Sequence, residues 1–154
     1  MSARLLYSSM ITVSYPPPDF KIKKEQGKEL IFDPLRKKWV VLTPEEWVRQ
    51  NFIAYLIKVK QYPAALVAVE KEMKLGELRK RFDILVYDPH HRPLLMVECK
   101  AMEVPLNEKV LEQLLRYNIS IPVQYLVITN GSSCFAWKKT GSGAEALDAL
   151  PEVV

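Results

Sequence analysis

No stretch of the chain approaches the ~18 consecutive apolar residues of a membrane span. The N-terminal segment Arg4-Leu5-Leu6-Tyr7-Ser8-Ser9-Met10-Ile11-Thr12-Val13 is too polar for a signal core and has no small-residue cleavage site. Only two cysteines, Cys99 and Cys134, occur in 154 residues, without paired spacings. They suit buried thiols in a reducing compartment better than a disulfide framework, so a cytoplasmic protein is expected. The five glycines form no repeat and no phosphate-cradling loop of the GxxxxGK[ST] kind. Gly141-Ser142-Gly143 has no lysine after it, and residues 141–154 read as a loose tail. No heptad or apolar seam argues for a coiled-coil dimer.

What remains is a chain with 49% hydrophobic residues and a formal net charge of +4, enough for one self-supporting core. Basic residues gather at Lys21, Lys23, Lys24, Lys28, Arg36, Lys37 and Lys38, and again at Lys74, Arg79, Lys80 and Arg81. A basic approach to an acidic pair, as the second group offers, suits a polyanion, although charge runs are more often solvated surface. The second group gains interest because it runs into Asp83.

Two apolar runs, 81–87 and 94–100, flank Asp88-Pro89-His90-His91-Arg92-Pro93, a turn composition, and read as an antiparallel hairpin. Symmetric pairing sets Leu85 opposite Met96 and Asp83 opposite Glu98, with Lys100 on the same face as Glu98. Like charges there repel, so the pair calls for a cation or a shared proton. Before the hairpin, residues 29–32 and 38–42 predict a small N-terminal hairpin around Asp33-Pro34-Leu35-Arg36-Lys37. Thr43, Pro44 and Glu46 then form a capping-box pattern opening a helix over 43–59. Its apolar face is Val48, Phe52, Ile53, Leu56 and Ile57; Glu45 lies on that side, whereas Glu46 reads as a cap.

Residues 66–72 read as a strand leading to a turn at Leu75-Gly76-Glu77, and 107–117 as a second helix with the stripe Leu106, Val110, Leu111 and Leu114. Gln113 and Tyr117 are one turn apart on that helix. Residues 123–129 and 134–137, joined through Asn130-Gly131, complete an α/β arrangement around a mixed sheet. The parts are an N-terminal extension (1–42), a core (43–140) and the tail, all in a single domain. His90 and His91 read as exposed turn residues, Ser132 and Ser133 as turn residues without an activating histidine, and Trp39, Trp47 and Trp137 as packing residues, one of which could stack on an unpaired base.

Asp83, then Glu98-Cys99-Lys100 after fourteen intervening residues, resembles the PD-(D/E)xK nuclease signature, with Phe82 in the place of the signature proline. Glu45 ahead of the strands and Gln113-Leu114-Leu115-Arg116-Tyr117 behind them resemble the helix glutamate and QxxxY motif of type I restriction enzyme R-subunit N-terminal domains. The resemblance implies a restriction-endonuclease-like core, αβββαβ, preceded by the N-terminal hairpin. It implies a Mg²⁺-dependent nuclease, Mn²⁺ substituting, that hydrolyses DNA phosphodiesters. Asp83, Glu98 and the Cys99 backbone carbonyl would be the metal ligands, since Mg²⁺ takes one or two carboxylates and keeps waters and substrate oxygens.

Lys100 would orient or help deprotonate the attacking water and stabilise transition-state charge. Glu45 would hold a water of the cation's shell or a second cation. Gln113 and Tyr117 would contact the substrate backbone or brace Lys100, with Arg79, Lys80 and Arg81 drawing in the strand. Expected partners are DNA and either a second copy, as a homodimer, or other restriction-system subunits, with no membrane. Without a phosphate loop, the ATP-driven motor of a complete R subunit is not expected in this chain. The alternative is a module of the same fold that binds nucleic acid or protein without cutting.

Overall fold

The computed structural model describes residues 10–141 and 143–152. Of the N-terminal segment judged too polar for a signal core, Arg4 to Ser9 lie outside the described residues, as does Ser142 of the glycine-serine stretch.

Among the described residues the architecture is mixed α/β, with two sheets and two main helices. Strands β1 (Ile22–Glu25), β2 (Lys28–Asp33) and β3 (Lys38–Val41) form an antiparallel three-stranded sheet in that order. The expected N-terminal hairpin is therefore present with one strand added. Ile22-Lys23-Lys24-Glu25 is exposed throughout and carries no alternation to announce itself.

Helix α1 (Pro44–Ala54) opens on Thr43, whose side chain accepts from the Glu46 backbone N–H, and continues as a wider π-helical turn, Tyr55–Val59. The predicted end at Val59 holds. Strands β4 (Val67–Leu75), β5 (Leu78–Tyr87) and β6 (Pro93–Cys99) follow, then α2 (Glu108–Asn118), β7 (Tyr125–Thr129), β8 (Cys134–Thr140) and β9 (Gly143–Leu147). They build a six-stranded sheet in chain order, in which β6 and β7 are parallel and the other neighbours antiparallel. The β6-to-β7 connection carries α2, as a parallel pair requires.

The sheet separates two apolar layers. Val48 and Phe52 of α1 and Leu56 of the π-helical turn pack on Ile84, Val86, Leu95, Val97 and Val127, while Leu111 and Leu115 of α2 pack on Leu85, Met96, Leu126, Ile128 and Trp137. Alternation along β5 and β6 produces this two-sided burial. Among the described residues, no helix is long and apolar enough to cross a membrane.

The tail differs from expectation. Residues 143–147 pair with β8 as an edge strand, Leu150 is buried in the α1-side core, and Tyr62 Oη donates to the Pro151 carbonyl at 2.5 Å. The exposed edge of β8 recruits a segment whose own β propensity is poor.

Candidate active site at the open end of the central hairpin

The pairing of Leu85 with Met96 is as expected, and the β5–β6 ladder proceeds to Ile84 opposite Val97, one step short of Asp83 and Glu98. There the strands part. Asp83 Oδ2 accepts from the Cys99 backbone N–H at 2.8 Å, so a carboxylate takes over from the backbone ladder between the strands. Just before it, the alternation of β5 breaks: Phe82 packs in the α2-side core and Ile84 in the α1-side core. On the other flank, Val69 pairs with Ile84 and Lys71 with Phe82, leaving Glu70 opposite Asp83. Glu70 has φ +53°, a left-handed backbone that costs a β-carbon residue energy and recurs at functional sites.

Asp83 and Glu98 meet as expected, their carboxyls within hydrogen-bond reach of each other, but they arrive by different routes. Glu98 alternates with Met96 toward α2, whereas Asp83 reaches into the gap between strands and offers Oδ1 to α1. The two remain close enough for electrostatic conflict. Burial, reinforced by the Asp83 carboxylate, pushes the Glu98 carboxyl up to about 7, against the opposing pull of Lys80 and Lys100.

Arg49 is the residue that sequence reasoning missed. Its guanidinium, on a 6% exposed side chain, lies 2.9 Å from Asp83 Oδ1, 2.5 Å from Glu46 Oε1, 3.0 Å from Glu70 Oε1 and 3.2 Å from Glu45 Oε1. Burial works against its charge, but Asp83, Glu46 and Glu70 hold its proton more firmly than usual. The available signal was spacing: Arg49 stands four residues after Glu45, next to the apolar Val48 and one turn before Phe52 and Ile53.

Glu46 is not merely a cap. Its backbone N–H bonds Thr43, but its buried carboxylate receives Arg36 Nη2 at 3.0 Å on each oxygen, as well as Arg49 and Gln50. Glu45, on the expected side of the helix, is half-exposed; its carboxyl is raised by partial burial and then by Asp83.

Lys80 comes to the site from β5, with Nζ 3.9 Å from Glu98 Oε1 and 4.5 Å from the centre of the Tyr117 ring. The α2 motif and the hairpin therefore meet through a cation–π contact. Gln113 is exposed on the preceding turn, and Lys100 is half-buried just beyond β6, with its backbone N–H bonded to the Thr129 carbonyl at 2.9 Å. Arg79 and Arg81 are drawn elsewhere, Arg79 to Glu72 at 3.5 Å and Arg81 to Glu70 at 3.6 Å, both on exposed side chains. Cys99 is fully buried, its thiol raised by desolvation and next by Asp83.

His90 and His91 are exposed in the turn at the far end of the hairpin, and Ser132 and Ser133 cap the β7–β8 turn through Asn130 Oδ1. Among the described residues, no group of three or more His, Cys, Asp or Glu side chains is placed to hold a metal ion. The pair Asp83 and Glu98 nevertheless offers hard oxygen donors in the number Mg²⁺ takes from protein, with Glu98 raised first by burial and then by Asp83 beside it.

A family model described as Type I restriction enzyme R protein N terminus matches residues 44–151. No curated protein gives a significant match to the chain.

Proposed function

Since the chain belongs to the type I restriction enzyme R protein N-terminal family, we propose that it is a divalent-metal-dependent nuclease of restriction-endonuclease-like fold, cutting DNA at the end of the β5–β6 hairpin. The observation that carries this reading is the meeting of Asp83 and Glu98 beside Lys80 and Lys100, with Glu98 pushed up to about 7. Asp83, Glu98 and the Cys99 carbonyl would hold Mg²⁺ or Mn²⁺. When bound, the cation supplies Lewis acidity toward the scissile phosphate and lowers the proton affinity of the attacking water.

The chain's own residues do the rest. Lys100 orients the water and places positive charge where negative charge grows in the transition state. Lys80, held over Tyr117, offers a cation to the approaching phosphate once it leaves Glu98. Gln113 and Tyr117 line the α2 approach, and Glu45 stands on the α1 side as a further hydrogen-bond acceptor. DNA and other restriction-system subunits are the partners the family suggests.

A second reading also has an observation behind it. Both Asp83 oxygens are engaged within the fold, by Arg49 and by the Cys99 N–H, an arrangement that suits a non-cleaving binding module. The readings separate on plasmid cleavage with Mg²⁺ by wild type, Asp83→Asn and Lys100→Ala, with circular dichroism to verify folding. Loss of cutting in both variants supports the nuclease; equal activity in all three refutes the site. Calorimetric Mn²⁺ binding that disappears in Asp83→Asn supports the ligand assignment independently of turnover.

A further inference from the structure

Segment 21–41 holds seven of the 22 basic residues and three of the 18 acidic ones, so its excess of four equals the net charge of the whole chain. It contains the N-terminal sheet and precedes the family match, which begins at residue 44. Of its acids, Asp33 is fully buried against Arg36, Glu25 is paired with Lys23 at 3.0 Å and Glu29 is exposed, so a net excess of lysine remains at the surface. Lys21, Lys23, Lys24, Lys28, Lys37 and Lys38 are all exposed.

The lysines on one face are set in place. Cross-strand pairing joins Lys23 to Leu30 and Phe32 to Trp39. Lys23 Nζ lies 4.3 Å from the Trp39 ring centre and Lys21 Nζ 5.9 Å from that of Phe32. Ile31 and Asp33, alternating to the other face, are 0% exposed, so the sheet is seated on the domain by one side and presents its cations from the other. The seat continues to the candidate site: Arg36 in the β2–β3 turn binds Glu46, Glu46 binds Arg49 and Arg49 binds Asp83.

We propose that the Lys21, Lys23, Phe32 and Trp39 face of the N-terminal sheet docks on the phosphate backbone of duplex DNA. The inference rests on the nuclease reading for its partner and adds where that partner is held. Duplex is favoured over single strand because the rings already lie under lysines. They position ammonium groups, as cation–π contacts do, and the Lys23 ammonium already occupies a face of Trp39 on which an unpaired base would stack. A duplex offers its charge on the outside, and binding through it is salt-dependent by counterion release.

The test measures binding of a labelled 20-base-pair duplex in EDTA across a salt series. Wild type is compared with Lys21→Ala/Lys23→Ala and with a charge-matched control, Lys109→Ala/Lys138→Ala. The sheet variant is expected to bind about tenfold more weakly and to lose about 2 from the slope of log K against log salt, at ~0.9 per phosphate contact. The control is expected to keep the wild-type slope. Equal losses in both pairs, an unchanged slope in the sheet variant, or preferential binding of single strand or of phosphatidylserine vesicles would overturn the proposal. EDTA separates it from cleavage. Salt-sensitive binding through the sheet by a protein that never cuts refutes only the nuclease, and cutting without a sheet contribution refutes only the docking face.

Discussion

The Arg49 guanidinium bonds Asp83 Oδ1 at 2.9 Å, so the acid at the centre of the candidate site is already neutralised by a cation that the fold itself supplies. The same guanidinium meets Glu45, Glu46 and Glu70. A planar fork suits this task, and a lysine ammonium would not span four partners.

Arg49→Met leaves those four carboxylates without their shared cation and is expected to cost about 3–5 kcal/mol, the usual penalty for stranding buried charge. Arg49→Lys should fall between variant and wild type. Because Mn²⁺ would bring replacement charge to Asp83, its addition should raise the melting temperature of Arg49→Met more than that of wild type. Thermal denaturation with and without Mn²⁺ checks this; equal shifts would mean that arginine and metal do not share Asp83.

Glu98 gives a pH dependence of definite sign. Its folded carboxyl, at about 7, lies above the ordinary value of 4.5, so between these values the folded chain binds more protons than the unfolded one. Its contribution is therefore fully present below about 4.5 and is lost as pH rises through about 7 in metal-free protein. Urea denaturation in EDTA from pH 4 to 8 should show this decline superposed on other groups' effects. Glu98→Gln should remove that component, and a variant that retains the full slope would contradict it.

Lys80 pulls the Glu98 carboxyl downward, and Tyr117 holds Lys80 in place. Lys80→Met should move the Glu98 titration further up, Tyr117→Ala should move it less in the same direction, and Tyr117→Phe should leave it unchanged. Carboxyl carbon NMR reads all three. A Tyr117→Phe shift as large as that of Tyr117→Ala would assign the effect to the hydroxyl instead of the ring.

Gly131 has φ +95°, and a methyl group there would meet Met102 Cγ and Val48 Cγ2 at 3.3 Å. Gly131→Ala is expected to destabilise by about 1–3 kcal/mol, from left-handed strain plus crowding against a packed helix. Val48 adjoins Arg49, so the same substitution should also weaken Mn²⁺ binding, which calorimetry measures alongside denaturation.

The strands and helices with strong periodicity were legible because each buries one kind of face: α1, α2, β5, β6, β7 and β8 fall where the apolar spacing sets them. The register of Leu85 with Met96 followed from the turn residues between them. Strand β1 was invisible because all four of its residues are exposed, and β9 because pairing with β8, not its Ala and Glu content, makes it a strand. At the site, Asp83, Glu98 and Lys80 were legible as charges within or beside apolar runs. Arg49 was not, because an arginine four residues after a glutamate on a helix normally signals solvent, and the partners that hold it inside, Asp83 and Glu70, arrive from other strands. Nor does sequence announce the left-handed Glu70 backbone or the Asp83 side chain replacing a ladder hydrogen bond.

The Cys99 thiol sits in the α1-side core, one residue from Glu98, and its backbone N–H is held by Asp83. Full burial and a raised proton affinity make it inert toward alkylating reagents while the hairpin end is closed. Every excursion that parts β5 from β6 far enough to expose it would also separate Asp83 from the Cys99 N–H. The sulfur thus serves as a built-in clock: its labelling rate counts how often this end of the sheet breathes open, in intact protein and without an introduced probe.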